Sequence, residues 1–204
     1  MKQVLLASLV AATVSFVMVD AASAATIGQP APAFSLKDTN GKTVNLADYK
    51  GKTVVLEWHN PACPFVVKHY DTSNMQGLQS KYGKDGVVWL SVNSTETGHQ
   101  DYKKPDALNV YLKAQNAAPA AYLMDESGAT GKAYAAKTTP HMYVINPQGT
   151  LVYAGGIDDK RSSKKEDVAT AKNFVSAALD ELKAGKPITT ATSAPYGCSI
   201  KYKS

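Results

Sequence analysis

The 204-residue chain is short of several features that mark specialised proteins. It has two cysteines, Cys63 and Cys198, which is too few for a disulfide scaffold. Their number points to chemistry rather than to staples. Charged residues make up 19% of the chain, and 22 Lys+Arg against 17 Asp+Glu leave a net charge of only +5. Apart from Lys160-Arg161 and Lys164-Lys165 the basic residues are scattered. Nucleic-acid binding needs a concentrated basic face, so it is not expected. No flavin or nicotinamide fingerprint is present, and no cofactor is expected. The one long apolar run, Val4 to Val19, falls short of the ~20 residues that span a bilayer. There is no internal repeat and no sign of a second domain.

Hydrophobic residues make up 44% of the chain and aromatics 8%, enough for one globular domain with its own core. Lys2, the apolar run and the small-x-small site Ala22-Ser23-Ala24 together read as a secretory signal peptide over residues 1–24. Cleavage after Ala24 predicts an exported protein, periplasmic or secreted, with no membrane span after processing. In that setting an even cysteine count permits one disulfide.

The mature chain divides into a domain over 25–187 and a Thr/Ala/Ser-rich tail over 188–204 that carries Cys198. Ala33–Leu36 and Thr43–Leu46 predict a hairpin around Asn40-Gly41, a pair that tolerates positive φ. Thr53–Trp58 and Val87–Val92 read as buried central strands, being β-branched and apolar between turn signals. Helices are expected from Phe65 to about Tyr82, within 101–115, and from Lys165 to Ala184, the last on the 3.6 period of Val168, Ala171, Phe174, Val175, Ala178, Leu179 and Leu182. A short strand over Ala121–Met124 and a short helix ending at Lys137 precede a hairpin, His141–Ile145 and Thr150–Ala154. Strands alternating with helices predict a partly parallel sheet; the late hairpin adds antiparallel strands.

The chemistry centres on Cys63, where a buried strand gives way to a helix that Pro64 can start at little cost. The amide groups of a helix start favour an anion, and a cysteine there tends toward the thiolate, the nucleophilic form. His59, Lys68 and His69 are close in sequence and can add positive potential. Lys68 and His69 do not share the helical face of Cys63 well, so His59 is the stronger choice.

Val54-Val55-Leu56-Glu57-Trp58 leading into Cys63-Pro64, with Thr139-Pro140 before a hairpin, resembles a thioredoxin-fold redoxin. The lead-in Ile27-Gly28-Gln29-Pro30-Ala31-Pro32-Ala33-Phe34 is similar to the start of the alkyl hydroperoxide reductase/thiol-specific antioxidant branch, the peroxiredoxin-like family. The resemblance spans roughly residues 26–184. It implies an α/β, thioredoxin-like fold with a central mixed sheet flanked by helices and a redox cysteine at the first long helix. It also implies a cis proline at Pro140 whose loop, with Thr139, shapes the substrate side together with Pro64 and His59. Glu57 matches the buried acid of thioredoxins, a proton acceptor, and can equally be a carboxylate satisfied at a strand end. The chain departs from the pattern in having no Cys-x-x-Cys: Asn60 replaces the first cysteine or Val66 the second, according to the alignment. Peroxiredoxins carry Thr or Ser where Asn60 stands, proline where Leu56 stands, and an arginine beside the thiolate. Arg161, the sole arginine here, follows the late hairpin.

These features predict thiol-dependent redox chemistry, either peroxide reduction or thiol–disulfide exchange. Cys63 is the nucleophile and Asn60 a hydrogen-bond donor to the thiolate or substrate. Cys198, on a mobile tail, is the resolving thiol, a permanent bridge to Cys63, or unpaired. An external thiol reductant would restore the reduced state. Two other classes use the same residues. One is an exported copper chaperone built on Cys63, His59, His69 and His141, and the other a redox-inactive binding module.

Overall fold

The computed structural model describes residues 24–203; the predicted signal peptide falls almost wholly outside them. Seven strands form one mixed sheet in the order β2-β1-β5-β4-β3-β7-β8. They are β1 (Ser35–Asp38), β2 (Thr43–Asn45), β3 (Val54–Trp58), β4 (Val88–Asn93), β5 (Ala121–Met124), β7 (His141–Ile145) and β8 (Leu151–Gly155). β3 runs parallel to β4 and β4 to β5, while β3–β7 and β7–β8 are antiparallel. The helices are α1 (Pro64–Asp71), α2 (Asn74–Lys84), α3 (Pro105–Ala114), α4 (Ala129–Ala133) and α5 (Phe174–Lys183). This is the thioredoxin-like architecture that the resemblance implied, with the partly parallel sheet and late antiparallel hairpin expected from the order of elements.

β3 organises the core. All five of its residues are buried, and the period of two sends alternate side chains to opposite faces. Val54, Leu56 and Trp58 pack with Val88, Leu90, Val92, Tyr134 and Tyr143 on one face. Val55 packs with Val66, Tyr70, Met75, Trp89, Val144 and the α5 residues Val175 and Leu179 on the other.

Two predicted helices are broken. The 65–82 stretch divides at Ser73, whose φ of 58° leaves the right-handed helical region. Just before it, the Thr72 hydroxyl donates to the Lys68 carbonyl at 2.8 Å, where it competes with the backbone ladder. The 165–184 stretch divides into a 3-10 turn over Lys165–Thr170 and α5. Asn173 caps α5, its side chain accepting from the Ser176 amide at 2.8 Å. Val168 and Ala171 therefore lie outside the helix assigned to them. Leu46, read as the end of a strand, opens a 3-10 turn over Leu46–Tyr49.

The tail is the largest departure from expectation. Instead of swinging free, it is laid across the domain. The Ala154 amide donates to Ala191 O at 3.1 Å, and Gly156 N to Ser193 Oγ at 2.9 Å. Two short strands, β6 (Thr138–Thr139) and β9 (Cys198–Ser199), then pair antiparallel with Thr139 opposite Cys198. Further on, Glu96 N donates to Lys201 O at 2.8 Å, and Tyr202 OH to Ala136 O at 2.8 Å. The packing is tight because glycines lie beneath it. A Cβ at Gly197, whose φ is +131°, would collide with the Thr139 carbonyl, and one at Gly155 with Ser193.

Candidate active site

The loop after β3 presents Cys63. Asn60 folds the chain there: its Oδ1 accepts from the Ala62 amide at 2.9 Å and its backbone carbonyl from the Cys63 amide at 3.0 Å. Cys63 is the N-cap of α1, and its carbonyl accepts from the Val66 and Val67 amides at 2.9 Å. Pro64 is the first residue of the helix. The Cys63 thiol does not cap the helix. It donates across the site to the Thr139 carbonyl at 3.0 Å.

Thr139 precedes Pro140 through a cis peptide bond, as the loop's resemblance implied. The β6–β9 pairing sets Cys198 opposite Thr139, the residue whose carbonyl accepts from the Cys63 thiol, so the two sulfurs are brought to the same site. Burial, then the nearness of Cys63, pushes the Cys198 thiol up to about 12. Four residues from three distant stretches, Cys63, Thr139, Pro140 and Cys198, thus meet at one point. Both cysteines are free thiols here; Cys63 is 1% exposed and Cys198 partly so.

The other predicted site residues are placed differently. Asn60 does not turn its amide to the sulfur; Nδ2 donates to Asp101 Oδ2 at 3.3 Å. His59 supplies no positive potential. Its ring is buried among Tyr70, Tyr111 and Tyr122, Nδ1 meets Tyr122 OH at 2.7 Å, and burial pulls its pKa down to about 3. A side chain 1% exposed also offers no surface to a substrate. His141 lies against the Tyr143 ring and is held below the usual histidine range, at about 4. Among the described residues no group of three or more His, Cys, Asp or Glu could hold a metal ion, so the copper-chaperone alternative has no ligand cluster.

Glu57 is fully buried. Its carboxylate accepts from Tyr70 OH at 2.9 Å, Trp89 Nε1 at 2.8 Å and Ser91 Oγ at 3.3 Å. Burial raises its pKa to about 7, against the pull of those donors. It therefore changes protonation state in the neutral range.

Sequence reasoning set aside a group that proves central to the tail. Lys68 and His69 are fully buried, and both reach the hydroxyl of Tyr196, at 3.4 Å and 3.3 Å. Tyr196 OH donates to Asp158 Oδ1 at 2.6 Å. The available signal was a lone tyrosine two residues before Cys198.

A mixed sheet of this order, with a cysteine at the start of the first helix and a cis proline facing it, is that of a thioredoxin-fold redoxin. Within that class, the pattern of the AhpC/TSA family matches residues 27–154, and the chain belongs to that family. The match ends before α5 and the Cys198 tail. A relative, the thiol-disulfide oxidoreductase ResA of Bacillus subtilis (strain 168), is 26% identical over 132 residues, which cover 61% of this chain and 64% of ResA. The chain thus spans less than two thirds of that relative's length. Two solved structures superpose more fully. A hypothetical protein, SMc02350, from Sinorhizobium meliloti 1021 gives a TM-score of 0.75 at 25% identity, covering 89% of this chain and 97% of that one. A conserved protein from Geobacillus kaustophilus gives 0.75 at 30% identity, covering 87% and 93%.

Proposed function

We propose that the protein is an exported thiol–disulfide oxidoreductase whose redox pair is Cys63 and Cys198. The observation that carries this reading is the Thr139–Cys198 strand pairing, which sets Cys198 beside the carbonyl that accepts from the Cys63 thiol at 3.0 Å. The similarity to ResA, itself named for thiol–disulfide exchange, supports it.

In the reduced protein, the tail moves aside and the Cys63 thiolate attacks one sulfur of a substrate disulfide. That S–S bond breaks, the sulfur not attacked leaves as a thiolate and takes a proton, and a mixed disulfide joins Cys63 to the sulfur it attacked. Cys198 then loses its proton and attacks the Cys63 sulfur, releasing the second substrate thiolate. The substrate has gained two electrons and two protons, and the protein holds a Cys63–Cys198 disulfide. An external dithiol reverses that oxidation by the same exchange and becomes a disulfide itself. Glu57, on the α1 side of β3 and poised near neutrality, is assigned as proton acceptor for the buried thiols. Thr139 and Pro140 form the edge against which a substrate chain lies once the tail leaves. Asn60 and Pro64 shape the loop that presents the sulfur.

Disulfide exchange is favoured over peroxide reduction because Arg161, the sole arginine, is exposed on the loop after β8. The test is intact mass of the reduced protein after brief exposure to stoichiometric oxidised glutathione and, separately, hydrogen peroxide. The expected result is loss of two hydrogens with glutathione, abolished in Cys63→Ser. Cys198→Ser should instead stop at a glutathione adduct on Cys63. An unchanged wild-type mass with glutathione overturns the reading; rapid oxidation by peroxide alone replaces it with a peroxidase.

A further inference from the structure

Tyr196 is the one buried aromatic of the tail that leads to Cys198, and its hydroxyl is the meeting point of three side chains from the domain. Asp158, from the loop after β8, accepts from it at 2.6 Å. His69 Nε2 lies 3.3 Å away. The opposite ring nitrogen of His69 faces Asn74 Nδ2 at 2.8 Å, and an amide nitrogen can only donate, so Nε2 carries the proton and points it at Tyr196. Lys68 Nζ completes the set at 3.4 Å and donates also to the Lys160 carbonyl at 3.1 Å. The Tyr196 ring packs edge-on against Phe65, with centroids 6.0 Å apart.

Lys68 and His69 belong to α1, the helix whose N-cap is Cys63. One rigid element therefore carries the nucleophilic sulfur and grips the tail two residues before the second sulfur. A buried ammonium and a buried carboxylate are costly unless each finds polar partners. Here one partner of both belongs to the tail, so leaving the site strips Lys68 and Asp158 of a hydrogen bond. The tail is held in one register, and only that register sets Cys198 opposite Thr139.

We propose that Tyr196 is a positioning residue for exchange between Cys63 and Cys198, its hydroxyl clamped by Asp158, His69 and Lys68 so that the second thiol is delivered to the first. This rests on the redox pairing proposed above.

The experiment uses the full chain in glutathione redox buffers. It reads the equilibrium constant of the Cys63–Cys198 disulfide and, in the reduced protein, the rate at which iodoacetamide alkylates Cys63. Tyr196→Phe keeps the ring on Phe65 and removes only the hydroxyl. The expected result is a fall of about tenfold or more in the equilibrium constant and a rise of similar size in alkylation. Lys68→Met leaves the tail sequence intact and should move both readouts the same way by less; it decides the matter if the tyrosine variant does not fold. A tyrosine that only stabilised the fold would lower the denaturation midpoint and leave the glutathione constant of the folded protein unchanged. Wild-type values of both readouts in both variants overturn the proposal. A wild-type protein that forms no disulfide at any glutathione ratio overturns the exchange reading first, and the clamp with it.

Discussion

The two cysteines are held by contrasting means. Cys63 is fixed by the scaffold: a five-residue buried strand leads into it, an Asx turn shapes its loop, and a helix starts on it. Cys198 is fixed by side chains, glycine-lined close approaches and two residues of strand pairing. Removing any one scaffold contact leaves many others to hold Cys63. The tail hangs on a few contacts, each of which can be removed separately. The proposed exchange, in which one thiol first meets a substrate and is then met by a partner, needs this inequality, with one sulfur stationary and the other able to leave and return.

The contrast can be broken most sharply at Gly197. A Cβ there strikes the Thr139 carbonyl on a backbone conformation that L side chains rarely adopt. Gly197→Val should cost tail docking about 4 kcal/mol, roughly a thousandfold in the Cys63–Cys198 equilibrium. The domain's circular dichroism should be unchanged. Glutathione titration measures the first effect; a normal pairing constant would show that the tail tolerates another path.

Glu57 tests the scaffold side alone. Folding raises its pKa from 4.5 to about 7, so between those values the folded protein keeps a proton that the unfolded chain has lost. The stability this group contributes is complete below about pH 4.5 and is lost as pH rises through 7, a change of roughly 3 kcal/mol. His59 and His69 act in the opposite sense: burial holds them neutral, so stability falls as the pH drops below 6.5 and the unfolded chain takes up protons. Glu57→Gln should therefore be compared with wild type at each pH by urea denaturation. The difference between the two should grow in favour of the variant from pH 5 to pH 8. A constant difference would show that the carboxyl does not titrate in that range.

The smallest effect is expected at the surface. Lys81 and Asp180 pair at 3.2 Å with about half of each side chain exposed, at 53% and 54%. Lys81→Ala should change stability by no more than about 0.5 kcal/mol and leave the thiol equilibrium untouched. A shift in pairing from this variant would mean that the tail responds to the domain as a whole.

What was legible in the sequence follows the same division. Val54–Trp58, Ala121–Met124 and His141–Ile145 were readable as strands because their patterns are local, and Thr139-Pro140 because the residues around it resemble a known loop. The helix breaks were not. The expected helices run on through Thr72-Ser73 and through 171–173, whereas single polar side chains close α1 at Thr72 and open α5 only at Asn173. His59 and Asn60 were chosen for their nearness to Cys63 in sequence, which says nothing of where a ring or an amide points: the one is enclosed by tyrosines and the other turns to Asp101. The tail was illegible for a further reason. Its Thr/Ala/Ser-rich composition is that of a loose segment, and what holds it is written elsewhere, in Gly155, Asp158, Lys68 and Thr139.

The meeting of residues 63 and 198 has a consequence for the lifetime of the molecule. A bond between them would enclose everything from α1 to β9, more than half of the described chain. Closing so long a loop restricts the unfolded ensemble by about 5 kcal/mol in chain-entropy terms. The oxidised form would then visit protease-sensitive open states several thousand times less often than the reduced form. Each reduction would not only arm the protein but also shorten its survival, so its turnover by proteases would track the supply of reductant around it.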